Sequence, residues 1–217
     1  MKHFEDKISI WPVMNQFHPA RWGGKDVLRD VIGNELIEIA FKTAREADPS
    51  AILIYNDGNN HALNMNPDGL VFDNTMDIVS RLKTQNLIDG VGLHMHLDGA
   101  HPPPKQAVIE AMKKYGLPVY VTEFDVDMED VHDSDVERNK IQTKIYQDMV
   151  EAAVESGVVH SFILFGVGDQ YSHLERSSNN GSPLADPTPF DDKLEPKPAY
   201  YAMLLALYNR FSNYSGR

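Results

Sequence analysis

Two apolar runs of the chain end in side chains that could do chemistry. The run at 8–14 stops at two amides, Asn15 and Gln16, and the run at 118–122 leads into Glu123 and Asp125. A carboxylate in a buried strand is costly unless it lies in a polar cleft, so Glu123 is a candidate site residue. Asp125 lies two residues further on, hence on the same face of a strand. If both runs meet at one cleft, an amide stands where a second acid would be expected.

Two histidines in the motif His94-x-His96 offer a different chemistry, because they place two imidazoles on one strand face. A catalytic zinc site usually has three protein ligands and an open position, and here the third ligand would have to be Glu123 or Asp125. The chain has no cysteine, which excludes disulfides and thiolate metal sites.

The elements that must position these residues alternate along the chain. Apolar runs, bounded by Pro, Gly or Asn, predict strands buried on both faces at 8–14, 51–55, 90–95, 118–124 and 160–166. Apolar residues at helical spacing predict helices at 25–48, 74–86, 104–115, 134–156 and 197–209. The alternation predicts an α/β fold with a parallel sheet, within one domain over residues 1–217. The longest gap, 168–196, is expected to be functional.

The candidate residues follow successive predicted strands, and Asn56, Asp57 and Asp169 occupy equivalent positions. Polar groups at the carboxyl ends of parallel strands are typical of the active face of a (β/α) barrel. An open doubly wound sheet is the alternative, but it would usually carry a Gly-rich phosphate turn after its first strand. Gly23 and Gly24 do not form a G-x-G-x-x-G motif, so no nucleotide cofactor is expected.

The composition limits the partners of the chain. With 20 basic and 32 acidic residues the formal net charge is −12, which disfavours nucleic acid and anionic membranes. No apolar run approaches the roughly 20 residues of a membrane span, and MKHFEDKISI lacks the apolar core of a signal peptide. The sequence leaves the cellular compartment open.

Five motifs in order give the chain a specific likeness. They are AFKTAREADPSA leading into LIYND, GVGLHMH, VTEFDV, FILFGVGDQYSHLE and FDDKLEPKPAYYAM. Together they resemble the family-10 glycoside hydrolases, the retaining endo-β-1,4-xylanases and their relatives, from about residue 5 to about residue 209. The resemblance implies a (β/α)8 TIM-barrel type fold that binds xylan or a related β-1,4-glycan, and an extracellular location. It also implies an incomplete barrel, with strands 4–8 and their helices.

The resemblance implies roles for individual residues. Glu123 matches the nucleophile, Asn15 the asparagine that hydrogen-bonds the sugar 2-hydroxyl, and His96 the histidine that contacts the nucleophile. Asp125 would hold the local network, and Asp169 matches a position near the aglycone side. No metal and no cofactor are implied, since the likeness accounts for His96 without a metal.

Several positions depart from the family pattern. Gln16 occupies the place of the acid/base glutamate in a motif that usually reads W-D-V-x-N-E, and Pro12 replaces its aspartate. His94 stands where a glutamine is usual, and Phe165 and His173 stand where tryptophans are usual. Gln16 alone would fit an engineered Glu→Gln change, but the other departures favour natural divergence. The chain is then either a weakened hydrolase or a catalytically inactive polysaccharide-binding or structural remnant.

Further expectations concern the cleft walls and the sheet edges. Phe17, Trp22 and Tyr171 are either sugar-stacking platforms or core residues, and the Asn56–Asp57 pair either supports the cleft or forms a turn. Five strands cannot close a barrel, and open edges aggregate unless covered. We therefore expect a homo-oligomer, a second polypeptide or the rest of a longer gene product to cover these edges.

Overall fold

A computed structural model describes residues 1–4, 7–17, 27–63, 70–174 and 185–214. Trp22, one of the predicted sugar platforms, lies outside these ranges. None of the helices in the described ranges is long and apolar enough to cross a membrane.

The strands form one parallel sheet whose spatial order follows the chain. They are β1 (Ile10–Asn15), β2 (Ile52–Gly58), β3 (Gly90–Asp98), β4 (Val119–Asp127) and β5 (Val159–Leu164). Each strand therefore pairs with the next, as in a barrel wall, and within the described ranges β1 and β5 remain edges. The predicted parallel, unclosed (β/α) sheet is confirmed.

The helices connect successive strands and cover the sheet. They are α1 (Val27–Ile32), α2 (Leu36–Ala47), α3 (Leu70–Thr84), α4 (Lys105–Lys114), α5 (Asp135–Ser156) and α6 (Pro198–Tyr214). The prediction of one helix over 25–48 is wrong, because a 3-10 turn at Gly33–Glu35 separates α1 from α2. Gly33 has a φ of 83°, a left-handed conformation that ends a right-handed helix. Helix α5 agrees with the helix predicted over 134–156: the Ser134 hydroxyl caps its first turn by accepting from the Glu137 N–H, and Gly157, in a left-handed conformation, caps its end.

The hydrophobic core lies between the helices and the central strands. Fully buried side chains from both layers meet there, among them Phe41, Leu53, Leu82, Leu93, Met112 and Tyr146. Strands β2, β3 and β4 are buried, but the prediction of burial on both faces is wrong for β1 and β5. Ile163 of β5 is 52% exposed because the described chain places no strand beyond this edge.

Isolated pairings hold the described parts of the segment that follows β5. A 3-10 turn at Asp169–Tyr171 follows β5, and Phe190 bridges to both Gly168 and Pro196. These contacts bring the loop back along the carboxyl edge of the sheet before α6 begins.

Candidate active site

The register of β3 and β4 sets the centre of the site. His94 lies opposite Glu123, and His96 lies opposite Asp125. The register shifts between Leu93 and His94, an irregularity that often re-aims side chains near functional sites. The sheet therefore brings both predicted histidines and both predicted carboxylates to one place.

Two imidazoles hold the carboxylate of Glu123. Its Oε1 lies 3.0 Å from Nε2 of His94, and its Oε2 lies 2.9 Å from Nε2 of His96. The Glu123 side chain is 21% exposed, so it is positioned by the protein and still open to a ligand. A carboxylate held on both oxygens and reachable from solvent can meet a ligand in one fixed orientation.

His96 is itself placed between two carboxylates. Its Nδ1 lies 2.8 Å from Oδ1 of Asp125, whose side chain is 1% exposed. Burial alone would lower the pKa of His96, but the hydrogen bonds and charges of Asp125 and Glu123 outweigh it and raise the pKa above 6.5. The imidazolium form donates to both carboxylates at once, whereas the neutral ring donates to only one.

Gln16 reaches the same cluster from the end of β1. It has a φ of 53°, a left-handed backbone that is uncommon for a residue other than glycine. Its N–H donates to the Asn56 carbonyl at 2.9 Å, and its Nε2 lies 3.2 Å from Nδ1 of His94. The ring of His94, which is buried, thus stands between the Gln16 amide and the Glu123 carboxylate.

Asn56 links β1 to the histidine cluster. Its Nδ2 donates to Oδ1 of Asn15 at 3.3 Å and lies 2.6 Å from Nε2 of His94, while its Oδ1 accepts from Thr122 Oγ1 at 2.7 Å. Asn56 lies within β2, so the turn-forming interpretation of this residue is wrong. Gly92 leaves room for it, since a Cβ there would overlap the Asn56 amide.

Thr122 and Gly92 also support the site, although neither was expected from the sequence. The available signal was a hydroxyl inside an apolar strand directly before Glu123 and a glycine within a strand, which often marks a close approach. Neither signal names Asn56 as the partner, because the contact crosses from one strand to another.

Asp57 points away from this cluster into the core. It accepts from the Tyr55 hydroxyl at 2.7 Å and from the Gly58 N–H at 2.8 Å, and Thr75 donates to it at 3.3 Å. Burial, followed by the charge of Asp57, raises the pKa of the Tyr55 hydroxyl far above its usual range. Asp57 therefore stabilises β2 from behind rather than facing a ligand.

Phe165 and His173 form an aromatic wall beside the centre. The ring of Phe165 lies 5.0 Å from the rings of both His96 and His173, and those two rings lie 5.3 Å apart. Nδ1 of His173 lies 3.7 Å from Oδ2 of Asp125. The structure thus brings both residues to the predicted cleft.

Asp169 instead anchors the loop after β5. Its Oδ1 accepts from the N–H and hydroxyl of Thr188 at 2.8 and 2.9 Å, and its Oδ2 accepts from Lys197 Nζ at 2.9 Å. Burial raises the pKa of Asp169, although Lys197 and Thr188 act in the opposite direction. These contacts favour a structural role for Asp169.

The predicted sugar platforms separate into two groups. Phe17 is buried, and its N–H donates to the Tyr55 hydroxyl at 3.3 Å, so the core interpretation applies and the platform interpretation is wrong. Tyr171 is exposed and remains available to a ligand.

The residue types at this site could also hold a metal ion. Two groups of side chains bring their ligand atoms within 4.8 Å of one another: His94, His96 and Glu123, and His96, Asp125 and His173. The predicted third zinc ligands, Glu123 and Asp125, each belong to one of these groups.

Known proteins share this architecture. A thermostable celloxylanase of Thermoclostridium stercorarium is 32% identical over 220 aligned residues, which cover 93% of this chain and 54% of that protein. The crystal structure of xylanase 10B from Thermotoga maritima superposes with a TM-score of 0.81 at 28% identity, covering 98% of this chain and 64% of that one. Xylanase 10B from Thermotoga petrophila, solved with xylobiose, gives a TM-score of 0.79 at 28% identity and covers 96% and 62%. This chain therefore spans less than two thirds of the length of these similar proteins.

The sequence model described as Glycosyl hydrolase family 10 matches residues 1–206. The resemblance drawn from the five motifs is thereby confirmed, and it extends from β1 into α6. Because the match covers nearly the whole chain, the protein belongs to glycosyl hydrolase family 10.

Proposed function

We propose that the chain hydrolyses β-1,4-glycosidic bonds in xylan-type polysaccharide by a retaining double displacement, at a rate reduced by Gln16. The observation that carries this proposal is the placement of Glu123, held by His94 and His96 at the carboxyl edge of the sheet. Similar proteins are xylanases, and one of them was solved with xylobiose. The architecture shared with these proteins supports a glycan as the substrate.

Glu123 would act as the nucleophile. Its carboxylate attacks the anomeric carbon, the bond to the leaving oxygen breaks, and a covalent glycosyl-enzyme forms that water then hydrolyses. Asn15 is placed beside Asn56 at the end of β1, where its amide would hydrogen-bond the sugar 2-hydroxyl. Phe165 and His173 would wall the sugar site, with His96 and Asp125 fixing the orientation of Glu123.

The proposed mechanism is impaired at general acid–base catalysis, the step that transfers protons to the leaving oxygen and from water. A retaining mechanism uses a second carboxyl about 5–5.5 Å from the first, which protonates the leaving oxygen and later deprotonates water. By the family resemblance Gln16 stands in place of that carboxyl, and an amide would do neither. Loss of general acid–base catalysis costs on the order of 10²–10⁴ in rate, and a good leaving group makes the acid unnecessary for the first step.

A binding role without catalysis is the second candidate function. It is favoured by the contact of His94 with both Gln16 and Glu123, which fills the space between the two positions that a retaining mechanism requires. In this case the cleft would bind the β-1,4-glycan without cleaving it.

An aryl β-xyloside with an activated leaving group separates the two functions. The parent chain is expected to release the aryl group, and Glu123→Gln is expected to abolish this release while both proteins stay folded by circular dichroism. Thr122→Val, which removes a hydroxyl that contacts Asn56 rather than Glu123, serves as the matched β4 variant. If the parent and Glu123→Gln release the aryl group at equal rates while both still bind xylan oligosaccharides, the hydrolysis proposal is wrong and the binding function is supported.

We also propose that another polypeptide or a second copy covers the edges that β1 and β5 leave open in the described part of the chain. Apolar side chains are exposed along β5 and α6, at Ile163, Tyr201, Leu204, Leu205, Leu207 and Tyr208. Exposed apolar side chains beside a sheet edge favour association.

A further inference from the structure

The group formed by His96, Asp125 and His173 has the dimensions of a metal site. Its ligand atoms lie within 4.8 Å of one another, and Nδ1 of His173 lies 3.7 Å from Oδ2 of Asp125. Zinc bonds of 2.0–2.2 Å place neighbouring ligands of a tetrahedral ion about 3.4 Å apart. Small movements of the half-exposed His173 ring would therefore bring these atoms to coordination distance.

Asp125 provides an independent indication of a missing cation. Its side chain is 1% exposed, and its Oδ2 is buried without a hydrogen-bond partner among the described residues. A buried carboxylate oxygen that no donor satisfies is costly. This oxygen faces His173, so a cation between the two would satisfy it.

The surroundings of His96 fit a metal ligand as well. A metal ion on Nδ1 would leave the ring proton on Nε2, which lies 2.9 Å from Oε2 of Glu123. Histidine ligands usually donate their second ring N–H to a carboxylate, which fixes the orientation of the ring. Glu123 would serve as that carboxylate.

The neighbouring group of His94, His96 and Glu123 is less suited to an ion. Both oxygens of Glu123 already contact an imidazole nitrogen, and Nε2 of His94 also lies 2.6 Å from the amide of Asn56. An ion there would have to displace these contacts. At Asp125 it would replace the single hydrogen bond to His96 and use the unsatisfied oxygen.

We propose that His96, Asp125 and His173 bind one divalent transition-metal ion of the zinc class. Two imidazole nitrogens and one carboxylate oxygen suit Zn²⁺ and its neighbours, whereas Mg²⁺ and Ca²⁺ prefer oxygen ligands alone. The side chain of His173 is 46% exposed, which gives the ion a path from solvent. This site does not depend on the proposed hydrolysis, and it differs from the expectation of no metal drawn from the family resemblance.

Titration calorimetry with Zn²⁺ on chelator-treated protein tests this site, with Co²⁺ absorption spectra as a second readout. The parent is expected to bind one equivalent, and His173→Gln and Asp125→Asn are expected to weaken binding at least about 10-fold. His94→Gln and His101→Gln are the controls and are expected to keep the affinity of the parent. His101 forms an exposed histidine–aspartate pair with Asp98, so the His101→Gln variant controls for nonspecific metal binding at the surface.

The pattern across the variants decides the outcome. Binding that survives His173→Gln but disappears in His94→Gln would place the ion on the neighbouring group and overturn the proposal. Absence of stoichiometric binding, or equal affinities in all variants, would also overturn it. Because His173 is half exposed, its variant should fold even if Asp125→Asn does not, and circular dichroism of each variant checks this.

Discussion

Replacing Gln16 by glutamate should restore part of the acid–base function, and His94 determines how much. The Gln16 amide lies 3.2 Å from Nδ1 of His94, whose Nε2 lies 3.0 Å from the Glu123 carboxylate. A carboxyl at position 16 would place the buried imidazole between two acids, which favours the imidazolium. That cation would in turn keep the new carboxyl ionised, and an ionised carboxyl is the wrong form for protonating a leaving group.

The size of this effect follows from Coulomb's law. Unit charges about 4 Å apart interact by about 4 kcal/mol at an effective dielectric constant of 20, close to a 10³-fold change in the protonated population. This factor would cancel most of the gain on the order of 10²–10⁴ that a general acid provides. The single variant Gln16→Glu should therefore gain little on xylan, and the double variant Gln16→Glu/His94→Gln should gain most of that factor.

Reducing-sugar release from xylan oligosaccharides measures the gain, and proton NMR of the first product shows whether the anomeric configuration is retained. His94→Gln alone is the control for the second substitution, and Glu123→Gln in the double variant must abolish the activity. If Gln16→Glu alone equals the double variant, the inhibitory role of His94 is wrong. If the folded double variant binds oligosaccharides but cleaves neither xylan nor the activated aryl xyloside, the hydrolase proposal is wrong.

Three further measurements test the supports of the site. Gly92→Ala should lower the free energy of unfolding by about 1–3 kcal/mol, because its Cβ overlaps the Asn56 amide; an unchanged urea midpoint would contradict this packing. The raised pKa of His96 should add stability that is complete below pH 6.5 and lost as the pH rises through the folded-state pKa. Urea unfolding in chelator-containing buffer should lose this pH dependence in His96→Gln, whereas His101→Gln should keep it. Light scattering should give a mass above that of one chain, since β1 and β5 are open edges among the described strands; a cooperatively melting monomer would argue against a partner.

Local patterns in the sequence determined much of this protein. The apolar runs located all five strands, and the polar residues after them identified the edge where the site lies. A period of two placed Glu123 with Asp125 and His94 with His96, because alternate side chains of a strand share a face. The family resemblance points to Glu123 and Gln16 as a pair on sequence alone.

Tertiary structure decided the contacts between these local units. The exposure of β1 and β5 depends on which strands have neighbours, and no pattern within a strand encodes that. The register of β3 against β4 places His94 beside Glu123. The path of the chain after β5 brings His173 close to Asp125, and it pairs Asp169 with Lys197. Such pairings depend on how distant segments pack, so the sequence named the groups while only the fold fixed their distances and burial.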